Sequence, residues 1–283
     1  MPDPSKAVLV TGCSSGIGKA TAERLAASGW TVYATARKPE TLAPLQAAGC
    51  HTLALDVTDE DSMEAAVATV REAEGAVGVL VNNAGYSQSG AVESIPLERL
   101  RAQFETNVFG LTRMCQLVLP GMRDQGWGKI VNISSMGGRL VFPGGGAYHA
   151  TKYAVEALSD ALRFEVRGFG VDVILIEPGA IRTGFEEVAA GSARAVTSAD
   201  EPYGRFHASL EKSMDAAYHG PLAKLGGGPE SVAKAIEKAI TSRRAPTRVP
   251  VTPSARIAIG QRRLVTDRMW DRIMGTQFSR PGR

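Results

Sequence analysis

The sequence predicts an α/β fold: a doubly wound parallel sheet of seven strands with helices on both faces. Three observations predict it. Short β-branched runs alternate with longer stretches of helical apolar spacing along most of the chain. Several of the runs are continuously apolar, as strands buried on both faces are. A repeated strand–helix–strand order needs crossovers of one hand, which produce a parallel sheet covered on two sides.

The strand candidates, in order, are Ala7–Thr11, Thr31–Thr35, His51–Leu55, Val77–Val81, Lys129–Ile133, Val171–Ile176 and, most weakly patterned, Thr247–Val251. Between them, Gly18–Ser28, Glu60–Glu74, Glu98–Met122 and Tyr148–Gly168 carry apolar residues at helical spacing. Residues 183–228 break the alternation, being rich in Ala, Ser and Gly and ending in Gly226-Gly227-Gly228. They follow the sixth strand, and ligands in such sheets bind beyond the carboxyl ends of strands. The segment therefore reads as a helical substrate lid with a glycine hinge. Its Phe185, Val188, Tyr203, Phe206, Met214 and Tyr218 either line a lipophilic pocket or pack the lid on the sheet. Residues 1–252 form the main domain, and 253–283 form a basic helical extension. That extension reads as docking on the parent domain, with a membrane-surface helix as the alternative.

Composition narrows the class. The chain has 283 residues, 44% hydrophobic and 22% charged, with a formal net charge of +3. That is a globular composition, too weakly basic to imply nucleic acid. Cys13, Cys50 and Cys115 are odd in number and far apart, so neither a disulfide framework nor a zinc site is expected. No metal-ligand spacing occurs among the four histidines, no apolar leader precedes the first strand, and no apolar run spans a membrane. A cytoplasmic protein is expected.

The first strand candidate runs into Thr11-Gly12-Cys13-Ser14-Ser15-Gly16-Ile17-Gly18, and a helix follows. Glycines let the backbone turn tightly and approach a pyrophosphate, while a helix N-terminus offers free N–H groups and a positive dipole. Asp56 ends the third strand beside Val57 and could accept the adenine amino group, or merely close a turn. Asn82-Asn83-Ala84-Gly85 ends the fourth. At the end of the second strand, an acid would bond the ribose hydroxyls of NAD. The run there is Ala36-Arg37-Lys38, with no acid. Arg37 can grip a 2′-phosphate in a forked geometry, which favours NADP(H), with NAD(H) as the alternative.

Tyr148 and Lys152 stand at i and i+4 of a strong helical pattern and share one face. Ser135 follows the fifth strand, and Asn107 lies in the preceding helical pattern. This set suits proton transfer coupled to hydride transfer. A tyrosine hydroxyl of pKa near 10 is a poor base at neutral pH. A cation about 5 Å away would stabilise its phenolate by roughly 3 kcal/mol, about two pKa units. Ser135 can donate to a substrate oxygen as charge develops there, and Asn107 could hold a water that links Lys152 to solvent.

With these residues in this order, the chain resembles a short-chain dehydrogenase/reductase over roughly residues 6–252. The resemblance rests on TGCSSGIG (11–18), Asp56, NNAG (82–85), Asn107, Ser135, YHATK (148–152) and Pro178-Gly179 followed by Thr183. It implies a Rossmann fold and a catalytic tetrad of Asn107, Ser135, Tyr148 and Lys152, with Tyr148 as acid/base. It also implies that the glycine loop and the Asn-rich strand end contact the cofactor, and that Pro178, Gly179 and Thr183 position the nicotinamide carboxamide. Ser15 departs from the pattern, since many NADP-preferring members carry a base there; Arg37 is left to do most of the phosphate selection. Homodimers or homotetramers are implied through the two long helices, with Met114, Leu117 and Val118 near that interface or facing their own sheet. Lipophilic carbonyl or alcohol substrates fit, as in members acting on steroids and retinoids, and an acyl-thioester substrate is not separated from these.

Two other classes compete. A non-catalytic nucleotide-binding redox sensor or scaffold needs no paired Tyr148 and Lys152. A methyltransferase-like sheet shares a glycine loop but gives no reason for the Ser135, Tyr148 and Lys152 set.

Overall fold

The structure, a computed structural model, describes residues 3–196 and 202–281. Residues 197–201 of the expected lid and 282–283 of the expected tail lie outside the described residues. One sheet holds β1 (Val8–Val10), β2 (Val32–Ala36), β3 (His51–Ala54), β4 (Val79–Asn82), β5 (Gly128–Ile133), β6 (Val171–Glu177) and β7 (Arg248–Pro250). Its order is β3-β2-β1-β4-β5-β6-β7, and every pairing is parallel. The chain switches direction between β1 and β4, which opens a crevice beyond their carboxyl ends.

The helices of the first half are α1 (Gly16–Ala27), α2 (Ala43–Ala47), α3 (Glu60–Glu74), α4 (Leu97–Phe104) and α5 (Leu111–Asp124). The second half adds α6 (Gly146–Val166), α7 (Phe185–Arg194), α8 (Gly204–His219), α9 (Pro229–Thr241), α10 (Pro253–Leu264) and α11 (Asp267–Gln277). α3 shows how the sequence sets its bounds: Asp59 caps it by accepting from Ser62 N, Glu60 and Asp61 suit its positive end, and Gly75 stops it at φ 85°.

Strand alternation divides the core. Val8 and Val10 face a cluster with Leu25 of α1 and Ile236 of α9, while Leu9 faces Val70 of α3, Met114 of α5 and Val155 of α6. Both faces are apolar because both are covered, hence the unbroken apolar runs. Each such fully buried aliphatic side chain contributes roughly 1.5–3 kcal/mol. A third cluster docks the C-terminal hairpin: Ala255, Ile259, Trp270 and Met274 close on Leu140.

Two expectations are corrected and one open alternative is resolved. The stretch read as one helix over Glu98–Met122 is α4 and α5 joined by a π-helical turn, Glu105–Gly110. Gly110 sits against Val57, where a Cβ would lie 2.2 Å from the Val57 carbonyl oxygen, so the turn forms where the helix presses on the end of β3. Met114 and Val118 face their own sheet, with Leu117 packed partly against the same core, because that side of α5 covers it. The glycine triplet is a seam rather than a loose hinge: Gly227 N donates to Ala180 O, Arg182 N donates to Gly227 O, and a Cβ at Gly226 would stand 2.5 Å from Ala180 O.

No helix among the described residues is long and apolar enough to cross a membrane. None of their His, Cys, Asp and Glu side chains group to hold a metal.

Candidate active site

A cavity of about 1130 Å³ runs along the carboxyl edge of the sheet. One end is a cradle of backbone. Gly12 (φ 73°) and Gly16 (φ 58°) adopt left-handed conformations that an ordinary residue resists. A Cβ on Gly18 would fall 2.3 Å from Gly12 O, so α1 starts pressed against the loop. Ser15 caps α1 without a side-chain bond, and the first turn holds no acid. The helix therefore offers N–H groups and positive dipole to an anion at its mouth, where Ser14, Ser15, Gly16 and Ile17 line the cavity. These features fit a pyrophosphate.

Asn83 brackets this loop from β4. Its Nδ2 donates to Thr11 O and Gly12 O, both at 2.9 Å, while Asn83 N and Ala84 N donate to Thr11 Oγ1. Its amide nitrogen is thus spent on the loop, while Asn83, Ala84 and Gly85 all line the cavity. Asp56 closes a turn, its Oδ1 accepting from Thr58 N and Thr58 Oγ1, and still lines the cavity beside Val57. Arg37 is exposed at the rim and makes no ion pair or side-chain hydrogen bond among the described residues. Pro178, Gly179 and Thr183 leave β6 along the opposite wall.

The other end is chemical. α6 presents Tyr148 and Lys152 one turn apart, with the ammonium 5.7 Å from the phenol ring centroid. Lys152 Nζ is buried and donates to Ile133 O at 2.8 Å. Burial pulls its pKa down to about 8, against the opposing pull of Glu156. Ser135 ends the β5 exit, its Oγ accepting from Gly137 N at 3.0 Å, which leaves its proton free to donate. Behind it, Ser134 Oγ donates to the buried Glu156, and Arg248 Nε donates to the other carboxylate oxygen at 2.9 Å.

One expectation about this end changes. Tyr148 is pushed above the ordinary tyrosine range, not below it: desolvation of the phenolate outweighs the hydrogen bond from Ser135. Asn107 does not line the cavity; its Oδ1 accepts from Tyr86 N, and its Nδ2 donates to Tyr86 O and Thr151 Oγ1. The side chain ties the π turn to the loop after β4 and to α6.

The remaining wall is apolar. Phe185 meets Tyr148 edge-on at 5.5 Å, and Val188, Met214 and Tyr218 join it. Tyr203 and Phe206 do not: Tyr203 donates to Glu93 outside, and Phe206 is buried among other side chains. The sequence reading missed Phe142, His149, Leu210, Gln277 and Phe278, which also line the cavity. His149 stood beside Tyr148 as a signal; the last two arrive from the far end of the chain.

The family model for short chain dehydrogenases matches residues 6–191. An NADPH-dependent 3-dehydrocapnine reductase from Ornithobacterium rhinotracheale is 36% identical, covering 94% of each chain. A 3-ketodihydrosphingosine reductase from Bacteroides thetaiotaomicron is 44% identical over 64% of this chain and 65% of its own. The crystal structure of a short-chain dehydrogenase from Streptomyces avermitilis superposes with a TM-score of 0.77 at 39% identity, covering 95% of this chain and 98% of that one. The protein is an oxidoreductase of the short-chain dehydrogenase/reductase family.

Proposed function

We propose that the protein is an NADP(H)-dependent oxidoreductase that interconverts a ketone and a secondary alcohol on a lipophilic small molecule, with Tyr148 as acid/base. The observation that carries this reading is the meeting of Ser135, Tyr148 and Lys152 between a phosphate-fitting cradle and an apolar wall. The dinucleotide, when bound, supplies or accepts the hydride.

The chain's own residues handle the proton and the positioning. Tyr148 Oη, held protonated by its buried setting, gives its proton to the carbonyl oxygen in reduction and takes it back in oxidation. Ser135 Oγ–H donates to the same oxygen as negative charge grows there, a contribution of about 2.7–4 kcal/mol for such donors. Lys152, fixed on Ile133 O, places its positive charge beneath Tyr148 and eases the loss of that proton. Asn107 acts through structure, fixing the Tyr86 loop and Thr151 of α6. Arg37 would hold the 2′-phosphate, consistent with a 36% identical relative that is NADPH-dependent. The apolar wall of Phe185, Val188 and Met214 favours a lipophilic substrate.

Tyr148→Phe tests the reading. The variant should titrate with NADPH as the parent does and lose turnover by several orders of magnitude. Near-parental activity on a verified substrate would overturn it.

A further inference from the structure

We propose that His149 is a specificity-determining residue, whose Nε2 accepts a hydrogen bond from a hydroxyl or protonated amine that the substrate carries within a few bonds of its reacting carbon. The proposal rests on Tyr148 being the proton-transfer residue, since it places the second contact beside that group.

The tautomer follows from the partner. His149 Nδ1 lies 3.1 Å from Gly137 O, and a carbonyl oxygen only accepts, so Nδ1 carries the hydrogen. In a neutral ring Nε2 is then a bare acceptor. The ring is neutral over the working range, because burial lowers its pKa to about 4 against the opposing Gly137 bond. Nε2 has no partner among the described residues, although the residue is only 7% exposed. An acceptor that no protein donor occupies, on a residue that lines the cavity, is open to a donor from a ligand.

The place is built for one. His149 lines the cavity, its ring centroid 5.7 Å from that of Tyr148 and 6.0 Å from that of Phe142. Gly145 keeps the ring edge open: a Cβ there would stand 2.5 Å from Nε2. Phe142, Phe185 and Leu210 make the neighbouring wall largely apolar, which favours a lipophilic remainder beside the polar contact. A molecule touching both Tyr148 and His149 spans only a few bonds between its two polar groups, while an apolar remainder runs along the lid. The substrate class is therefore a ketone or secondary alcohol with a neighbouring hydroxyl or amine and a lipophilic tail. A site that bonds a substrate donor discriminates strongly against the analogue lacking it.

The test compares a long-chain secondary alcohol, the matching vicinal diol and the matching vicinal amino alcohol, oxidised with NADP+ by the parent, His149→Phe and His149→Gln. Calorimetric titration of each compound into the NADP+-loaded enzyme runs alongside. The parent should favour at least one donor-bearing compound by tenfold or more in kcat/KM, and the pair of arms tells hydroxyl from amine. His149→Phe should abolish that preference, read as the ratio of kcat/KM for the donor-bearing compound to that for the plain alcohol within the same variant, and His149→Gln, with an amide oxygen in reach, should restore part of it. Equal losses on all three compounds, or a parent that neither prefers nor binds the donor-bearing compounds, would overturn the proposal. Tyr148→Phe separates the two readings: persistent turnover there refutes the acid/base assignment, whereas the His149 result is read on the parent's own preference.

Discussion

The Lys152 ammonium and the Ile133 carbonyl oxygen lie 2.8 Å apart, a bond that joins the middle of α6 to the last residue of β5. It fixes the ammonium beside the Tyr148 ring, in a buried setting that disfavours its charge. Burial depresses the Lys152 pKa to about 8, so the charged form predominates below that pH and is lost above it. Tyr148 is shifted upward and stays protonated over the same range. Ketone reduction should therefore lose kcat/KM as pH rises through about 8, on a single ionisation. Lys152→Met should remove that limb along with most of the rate. A parent profile flat from neutral to strongly basic pH would contradict this, and initial rates across that range decide it.

Under the proposed function, Arg37 carries the choice of dinucleotide. It sits exposed just beyond β2 and makes no ion pair among the described residues. Charge-assisted bonds to a phosphate contribute about 1.5–3 kcal/mol, or roughly 10- to 100-fold in affinity. Arg37→Asp should lose that factor with NADPH and gain with NADH, read as the ratio of the two kcat/KM values. An unchanged ratio would place the selection elsewhere.

Trp270 anchors the tail. It is 8% exposed, donates from Nε1 to Val141 O at 3.0 Å and stands 6.2 Å from Phe142. Trp270→Ala should cost about 3–5 kcal/mol of stability, as large-to-small core changes do. Because Phe142, Gln277 and Phe278 line the cavity, the variant should also raise KM for a lipophilic substrate while leaving NADPH affinity in place. Thermal unfolding and a dinucleotide titration together check it. Equal weakening of both ligands would mean that the damage is global.

The fold was legible because burial on two faces writes itself into composition. Leu9 faces one helical layer while Val8 and Val10 face the other, and all three must be apolar. Tyr148 and Lys152 were legible because helical spacing alone puts them on one face. The π turn was not: it adds width to a helix without disturbing the apolar rhythm around Asn107, and only the contact of Gly110 with Val57 reveals it. Met114 and Val118 were ambiguous because an apolar stripe does not say which neighbour covers it. The rise in the Tyr148 pKa was misjudged for a related reason: spacing locates the helpful cation but not the depth of burial that opposes it. Gln277 and Phe278 gave no signal at all, since the pocket they complete is made by residues distant in the chain.

The tail is also strapped to the lid: Ser213 Oγ donates to Gln277 O, and Ser279 N donates to Ser209 Oγ. The far wall of the pocket is thus supplied by a segment that owes nothing to the sheet. Lengthening, trimming or rewriting the terminus would reshape the far wall without replacing any residue of α6. Selection can act on what the enzyme accepts and on how it reacts as separate heritable traits.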